Sequence, residues 1–198
     1  MAKKQVSNAS RLIVIGGSSG SLDALLIILP ELIKDFKIPV LIVLHRNNSA
    51  DNGLTDLLAS KTSMPVKEAD EKELLLPGRI YLAPADYHIL TEDDGSVSLD
   101  ISEKVHYCRP SIDVTLASAA TAYKENLTAI LLSGANADGA CGMGVVKEYG
   151  GRNIVQDPGE ALVSYMPAQA ILLTVVDDIL PAAEIGRLMN QLAKEPGA

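Results

Sequence analysis

The chain is short of cysteine, of clustered cations and of long apolar runs, and each shortage removes a class of protein. Its two cysteines, Cys108 and Cys141, stand in no CxxC spacing, so neither a disulfide framework nor a zinc site is signalled. Cys141, near the start of an expected helix, reads as a small buried thiol, and Cys108 as an ordinary one. No Lys or Arg run exceeds a pair, and 25 acidic residues against 17 basic ones give a formal charge of −8, which argues against nucleic acid as a partner. No apolar stretch approaches the roughly 20 residues that span a bilayer. The opening MAKKQVSNAS lacks the apolar segment of a secretory signal. A cytoplasmic protein without membrane insertion is the expectation. No repeat, low-complexity tract or linker divides the chain, so residues 1–10 are expected to form a loose tail and residues 11–198 a single domain.

What is present is an alternation of two patterns. RLIVI, PVLIVLH and TAILLSG are apolar runs without a polar face, as expected of parallel strands covered on both sides, and RNIVQD is a weaker case. Between them, SLDALLIILPELIKDF sets Leu22, Leu25, Leu26, Leu29, Leu32 and Ile33 near one helical face, with Pro30 bending or restarting the helix. NGLTDLLASK, SIDVTLASAATAYKE, GACGMGVVKEYG and AAEIGRLMNQLAKE fit further helices. Residues 65–101 read differently, with PVKEA, GRIYLAP, YHILTE and VSLDI as strand-like segments and EDDG as the turn of an antiparallel hairpin. These elements predict a three-layer doubly wound α/β/α sandwich with a mostly parallel sheet and an antiparallel hairpin at one side. Right-handed crossovers then gather the strand C-termini along one edge, where ligands and catalytic groups collect.

The turn after the first strand, IGGSSGS, admits three readings. A dinucleotide fingerprint would require glycine at positions occupied here by Gly16, Ser18 and Ser21, and an acidic residue at the end of the second strand, where His45 stands. Gly16 to Gly20 instead fit G-x-S-x-G, whose glycines permit the sharp turn that lifts a serine oxygen clear of the backbone. The same residues also suit an inert loop. A serine nucleophile needs a base and an orienting acid, and both stand at neighbouring strand ends: His45 after VLIVL and Asp138 in the loop after AILL. Singly, His45 also suits a loop cap and Asp138 the N-cap of the helix beginning near Gly139. The amide of Ser19, at the new helix's N-terminus, is placed to face an oxyanion.

These residues resemble the catalytic domain of the chemotaxis protein-glutamate methylesterases, the CheB type, over nearly the whole chain from Arg11. IGGSSGS is similar to the family's Ile-Gly-Ala-Ser-Thr-Gly-Gly turn and places its nucleophile on Ser18. His45 matches the family's histidine and GANADG its aspartate loop, putting the acid on Asp138. LPGRIYLAPADYH and RPSIDV match two further family segments. The resemblance implies hydrolysis of γ-glutamyl methyl esters on chemoreceptor helices with release of methanol, extending to deamidation of receptor glutamines, with no cofactor and no metal. It departs at Ser21, which replaces a glycine, and at Ala135, which stands where the family commonly has methionine. With Gly17, Ser19 and Arg109, Ala135 is a candidate for the oxyanion and substrate-binding set. The family usually carries an N-terminal receiver; none is expected in this chain, so control would fall to a separate phosphorelay or receiver partner.

Arg109 is placed by the resemblance beside the cleft, where it suits an acidic receptor helix; a surface ion pair or loop hydrogen bond is the alternative. His88 reads as structural, since one base suffices, His106 and Tyr107 have no assignment, and Met143 and Met166 read as core filler. A catalytically weakened receptor-docking module of the same fold is the alternative function, and a nucleotide-binding domain a third.

Overall fold

The computed structural model describes residues 10–46 and 53–195. Its main sheet is built from β1 (Leu12–Gly17), β2 (Val40–Leu44), β3 (Val66–Glu68), β4 (Ile80–Leu82), β7 (Leu127–Leu131), β8 (Arg152–Gln156) and β9 (Asp178–Leu180). Their order is β3-β4-β2-β1-β7-β8-β9, and every pairing is parallel. β5 (His88–Thr91) and β6 (Val97–Asp100) pair antiparallel in a separate hairpin. The tail expected over residues 1–10 lies, except for Ser10, outside the described residues.

The uninterrupted apolar runs follow from burial on both faces. In β1, Leu12 and Val14 point into one core, with Leu41 and Val43 of β2, while Ile13 and Ile15 point into the other, with Val40 and Ile42. Helices α3 (Ile112–Tyr123), α4 (Ala140–Glu148) and α5 (Tyr165–Leu173) cover the first face, and α1 (Ser21–Glu31), α2 (Gly53–Ala59) and α6 (Ala182–Leu192) the second. The three-layer doubly wound reading is therefore what the protein adopts. No helix among the described residues is long and apolar enough to cross a membrane.

The antiparallel hairpin expected within 65–101 is residues 88–100, closed where Gly95 N–H donates to Glu92 C=O with Gly95 in the left-handed region. Val66–Glu68 and Ile80–Leu82 lie parallel at the edge of the main sheet, joined by a crossover over residues 69–79. Two expectations change. The buried stripe of α1 runs through Ala24, Leu25, Ile28 and Leu29, leaving Leu22 and Leu26 at its margins, and Pro30 sits in the last turn. Cys141 is exposed rather than buried, since α4 turns Ala140, Met143 and Val146 inward instead. Met143 and Met166 are fully buried, as core filler should be.

β1 is the strand where the winding reverses: the chain proceeds to β2 on one side and returns to β7 on the other. The ends of β2, β1 and β7 are consequently neighbours, and the crevice expected at such a reversal opens above them. The turn leaving β1 is tight. Gly20 has φ +81°, and a Cβ there would lie 2.7 Å from both Leu162 Cβ and Ser133 Oγ. Gly20→Ala should therefore lower unfolding free energy by about 2–4 kcal/mol, combining the left-handed penalty with overpacking, as read by urea denaturation.

Candidate active site

Asp138 is the most constrained group at the crevice. Its side chain is fully buried, a position in which a lone carboxylate would give up its charge. The charge is held by donors from the start of α3: Ser111 Oγ at 2.9 Å and Asp113 N–H at 3.0 Å reach Oδ1, and Ile112 N–H reaches Oδ2 at 2.7 Å. The helix end supplies these amides because its first turn has no intrahelical partners for them. His45 adds Nε2 at 2.7 Å from Oδ2. Burial pushes the Asp138 carboxyl up, but the His45 bond and the amides of Asp113 and Ile112 outweigh it and hold the group below its ordinary value.

The alternative of Asp138 as cap of the helix following it is replaced by an exchange. Asp138, just ahead of α4, serves the start of α3, while Asp113 in α3 accepts from Gly139 N–H at 2.9 Å and Gly142 N–H at 2.6 Å at the start of α4. Burial raises the Asp113 carboxyl above its ordinary value, with the neighbouring Asp138 charge adding to the effect.

An ionised Asp138 only accepts, so the proton of the His45 pair sits on Nε2 and leaves Nδ1 as the basic nitrogen. Nδ1 lies 3.4 Å from Cys108 Sγ and 3.4 Å from Asn136 Nδ2, and that amide reaches Cys108 Sγ at 3.3 Å. Burial, followed by the Asp138 charge, raises the Cys108 thiol, which keeps it protonated. Sequence reasoning assigned Cys108 no place here and missed Asn136 altogether; the nearness of Asn136 to Asp138 was the available signal.

Ser18 stands at the end of β1, half-buried, with its N–H bonded to Ser133 C=O at 2.9 Å. Among the described residues no hydrogen bond joins Ser18 Oγ to His45. The structure thus brings imidazole and carboxylate together and puts the serine at the adjacent strand end without a direct bond. Catalytic hydrogen bonds commonly tighten only when substrate is bound. Gly17 C=O accepts from His45 N–H at 3.2 Å, tying the serine turn to the histidine strand. Ser19 and Ala135 are exposed. Ser21 is buried, its Oγ donating to Ser18 C=O at 2.5 Å, so the extra side chain turns back onto the loop and leaves the crevice clear.

A cavity of about 200 Å³ adjoins His45 and is lined also by Arg46, Lys104, Tyr107, Cys108 and Arg109. Arg109 borders it but is committed internally: Nε and Nη2 donate to Asp86 Oδ1 at 3.2 and 2.9 Å, and Nη1 to the carbonyls of Ile101 and Ser102. The ion-pair alternative describes it. His88 is buried between Glu103 C=O, 3.0 Å from Nε2, and Ser111 N–H, which donates to Nδ1 at 3.1 Å. It supports the segment that holds Asp138. His106 is exposed, with Nε2 3.7 Å from Asp113 Oδ2. No cluster of metal-ligating side chains occurs among the described residues.

This is a doubly wound α/β protein with an imidazole–carboxylate pair at the reversal point of its sheet. Residues 13–189 match the family model described as CheB methylesterase, and the chain belongs to that family. A putative protein-glutamate methylesterase/protein-glutamine glutaminase of Leptospira interrogans serogroup Icterohaemorrhagiae serovar copenhageni is 42% identical over 180 residues, 91% of this chain and 93% of the relative. The protein-glutamate methylesterase/protein-glutamine glutaminase of Thermotoga maritima is 36% identical over 187 residues, which cover 93% of this chain but 54% of that longer protein. The crystal structure of the T. maritima CheB methylesterase catalytic domain matches with a TM-score of 0.88 at 37% identity, over 94% of this chain and 100% of that one.

Asp138→Asn removes a buried charge from donors arranged around it and should cost roughly 3 kcal/mol at neutral pH. Because the folded carboxyl lies below its ordinary value of 3.8, its contribution is present above that value and is lost as pH falls through the folded one. The stability gap between wild type and variant, followed by denaturation across pH, should narrow below about pH 4.

Proposed function

We propose that this chain hydrolyses γ-glutamyl methyl esters on the cytoplasmic helices of chemoreceptors, releasing methanol, with Ser18 as nucleophile, His45 as base and Asp138 as the acid that orients it. The observation carrying this reading is the His45 Nε2 to Asp138 Oδ2 bond of 2.7 Å at the strand end beside Ser18. It leaves Nδ1 as the nitrogen that takes a proton. Membership of the methylesterase family supplies the substrate class.

Ser18 Oγ attacks the ester carbonyl while its proton passes to His45 Nδ1. The tetrahedral intermediate collapses as the bond to the methoxy oxygen breaks, and the same proton leaves with methanol. Water then attacks the acyl-enzyme, giving its proton to His45, and as the bond to Ser18 Oγ breaks to release glutamate, His45 returns that proton to the serine oxygen. A glutamine side chain would follow the same course with ammonia as leaving group, in keeping with the double activity in the relatives' names. The ionised Asp138 offsets the imidazolium formed in each half-reaction. Regulation falls, in this reading, to a receiver partner outside the described domain.

One observation favours a second reading, a receptor-docking module with weakened catalysis: the basic nitrogen of His45 faces Cys108 and Asn136. A fluorophosphonate adduct on Ser18 decides between the two, forming on an active esterase and failing on a docking module.

Ser18→Ala should reduce methanol release from methylated receptor by roughly 10⁴-fold or more, with a smaller loss for Asp138→Asn than for His45→Ala, as for other triads. Full turnover by Ser18→Ala would refute the assignment.

A further inference from the structure

Ser133, at the end of the β7 segment, is fully buried, and every polar group it has points into the serine turn or its supports. Its N–H donates to Gln156 Oε1 at 2.9 Å and its C=O accepts from Ser18 N–H at 2.9 Å. Its Oγ accepts from Val163 N–H at 2.9 Å, and its single proton has two acceptors in reach, Ser19 C=O at 2.7 Å and Val163 C=O at 3.2 Å, the shorter bond being that to Ser19. Gly20 fits against it because any Cβ at that position would lie 2.7 Å from Ser133 Oγ.

These bonds fix the direction of two peptide planes. A trans peptide sets its C=O and the following N–H antiparallel. Ser18 C=O is bound by Ser21, through Oγ at 2.5 Å and N–H at 3.0 Å, so the N–H of Ser19 points away from α1. Ser19 C=O is bound by Ser133 Oγ, so the N–H of Gly20 points away from β7. Neither the Ser19 nor the Gly20 amide has a hydrogen bond among the described residues. Adjacent free donors beside a nucleophile are what a tetrahedral oxyanion needs, and their value depends on being aimed before the charge appears.

Resting on the esterase reading above, we infer that Ser133 is a positioning residue for that reaction, its hydroxyl holding the Ser19–Gly20 peptide so that consecutive N–H groups of the serine turn receive the oxyanion. Ser21 does the same for the preceding peptide. Both act through the backbone and neither touches the substrate.

The test compares Ser133→Val with Ser133→Thr, which share shape and differ in the hydroxyl. With methylated receptor as substrate, Ser133→Val should lose kcat by roughly 10- to 100-fold with KM nearly unchanged, as expected for a misaimed transition-state donor, and Ser133→Thr should recover most of it. The amide resonance of Gly20 in ¹⁵N-labelled protein should move in the Val variant and stay in the Thr variant. Equal kcat for Val and wild type, or equal losses for Val and Thr, would overturn the inference. An inactive wild type, or an active Ser18→Ala, would overturn the esterase reading instead, and the positioning of the Gly20 amide then stands or falls on its resonance.

Discussion

The buried negative charge of Asp138 is the constraint around which the crevice is built. Removing a carboxylate from water costs several kcal/mol even in a relaxed protein, so its donors are a condition of the fold. They come from the first turn of α3 and from the histidine that ends β2. One side chain in the loop after β7 therefore fixes where α3 begins and which way His45 faces. The reciprocal bonds from Asp113 to the start of α4 close the arrangement, so neither helix can shift along its axis without stripping a buried carboxylate of partners.

The chemistry of His45 follows from the same charge. Because Asp138 accepts, the imidazole donates through Nε2, and the other nitrogen is left with its lone pair free. That assignment needs no separate device, since the electrostatics that keep Asp138 ionised also choose the tautomer. The two departures from the family's pattern are absorbed without disturbing this. Ser21 has room because the residue beneath it is Gly17, where a Cβ would lie 2.4 Å from Ser21 Cβ. Ala135 is exposed and takes no part in holding Asp138.

Much of this was legible in the sequence because it depends on local pattern. Apolar runs without alternation marked β1, β2 and β7, and strand-end reasoning put Ser18, His45 and Asp138 on one rim. What was not legible depends on pairings distant along the chain. β3 and β4 have only three residues each, too few for a pattern to show whether they pair parallel or antiparallel. α5 carries Pro167 in its first turn and has Gln169 as its one strongly polar residue, so it has no amphipathic signature, and β9 has only three residues. Ser111 and Asp113 looked like ordinary helix-start residues, since their bonds to the Asp138 loop bridge residues about two dozen positions apart. Ser133 read as loop composition; its position beside Ser18 follows from the register that sets Gly16 opposite Leu131.

The unequal attachment of Ser18 and Asp138 has a consequence for reading related sequences. The aspartate anchors the start of α3 and the ring of His45, and a lineage that abandoned ester chemistry would still be selected to keep it. The Ser18 hydroxyl makes no hydrogen bond among the described residues, so folding places little demand on it. Drift would erase that oxygen first, which makes its retention a sharper marker of a working enzyme than retention of the acid.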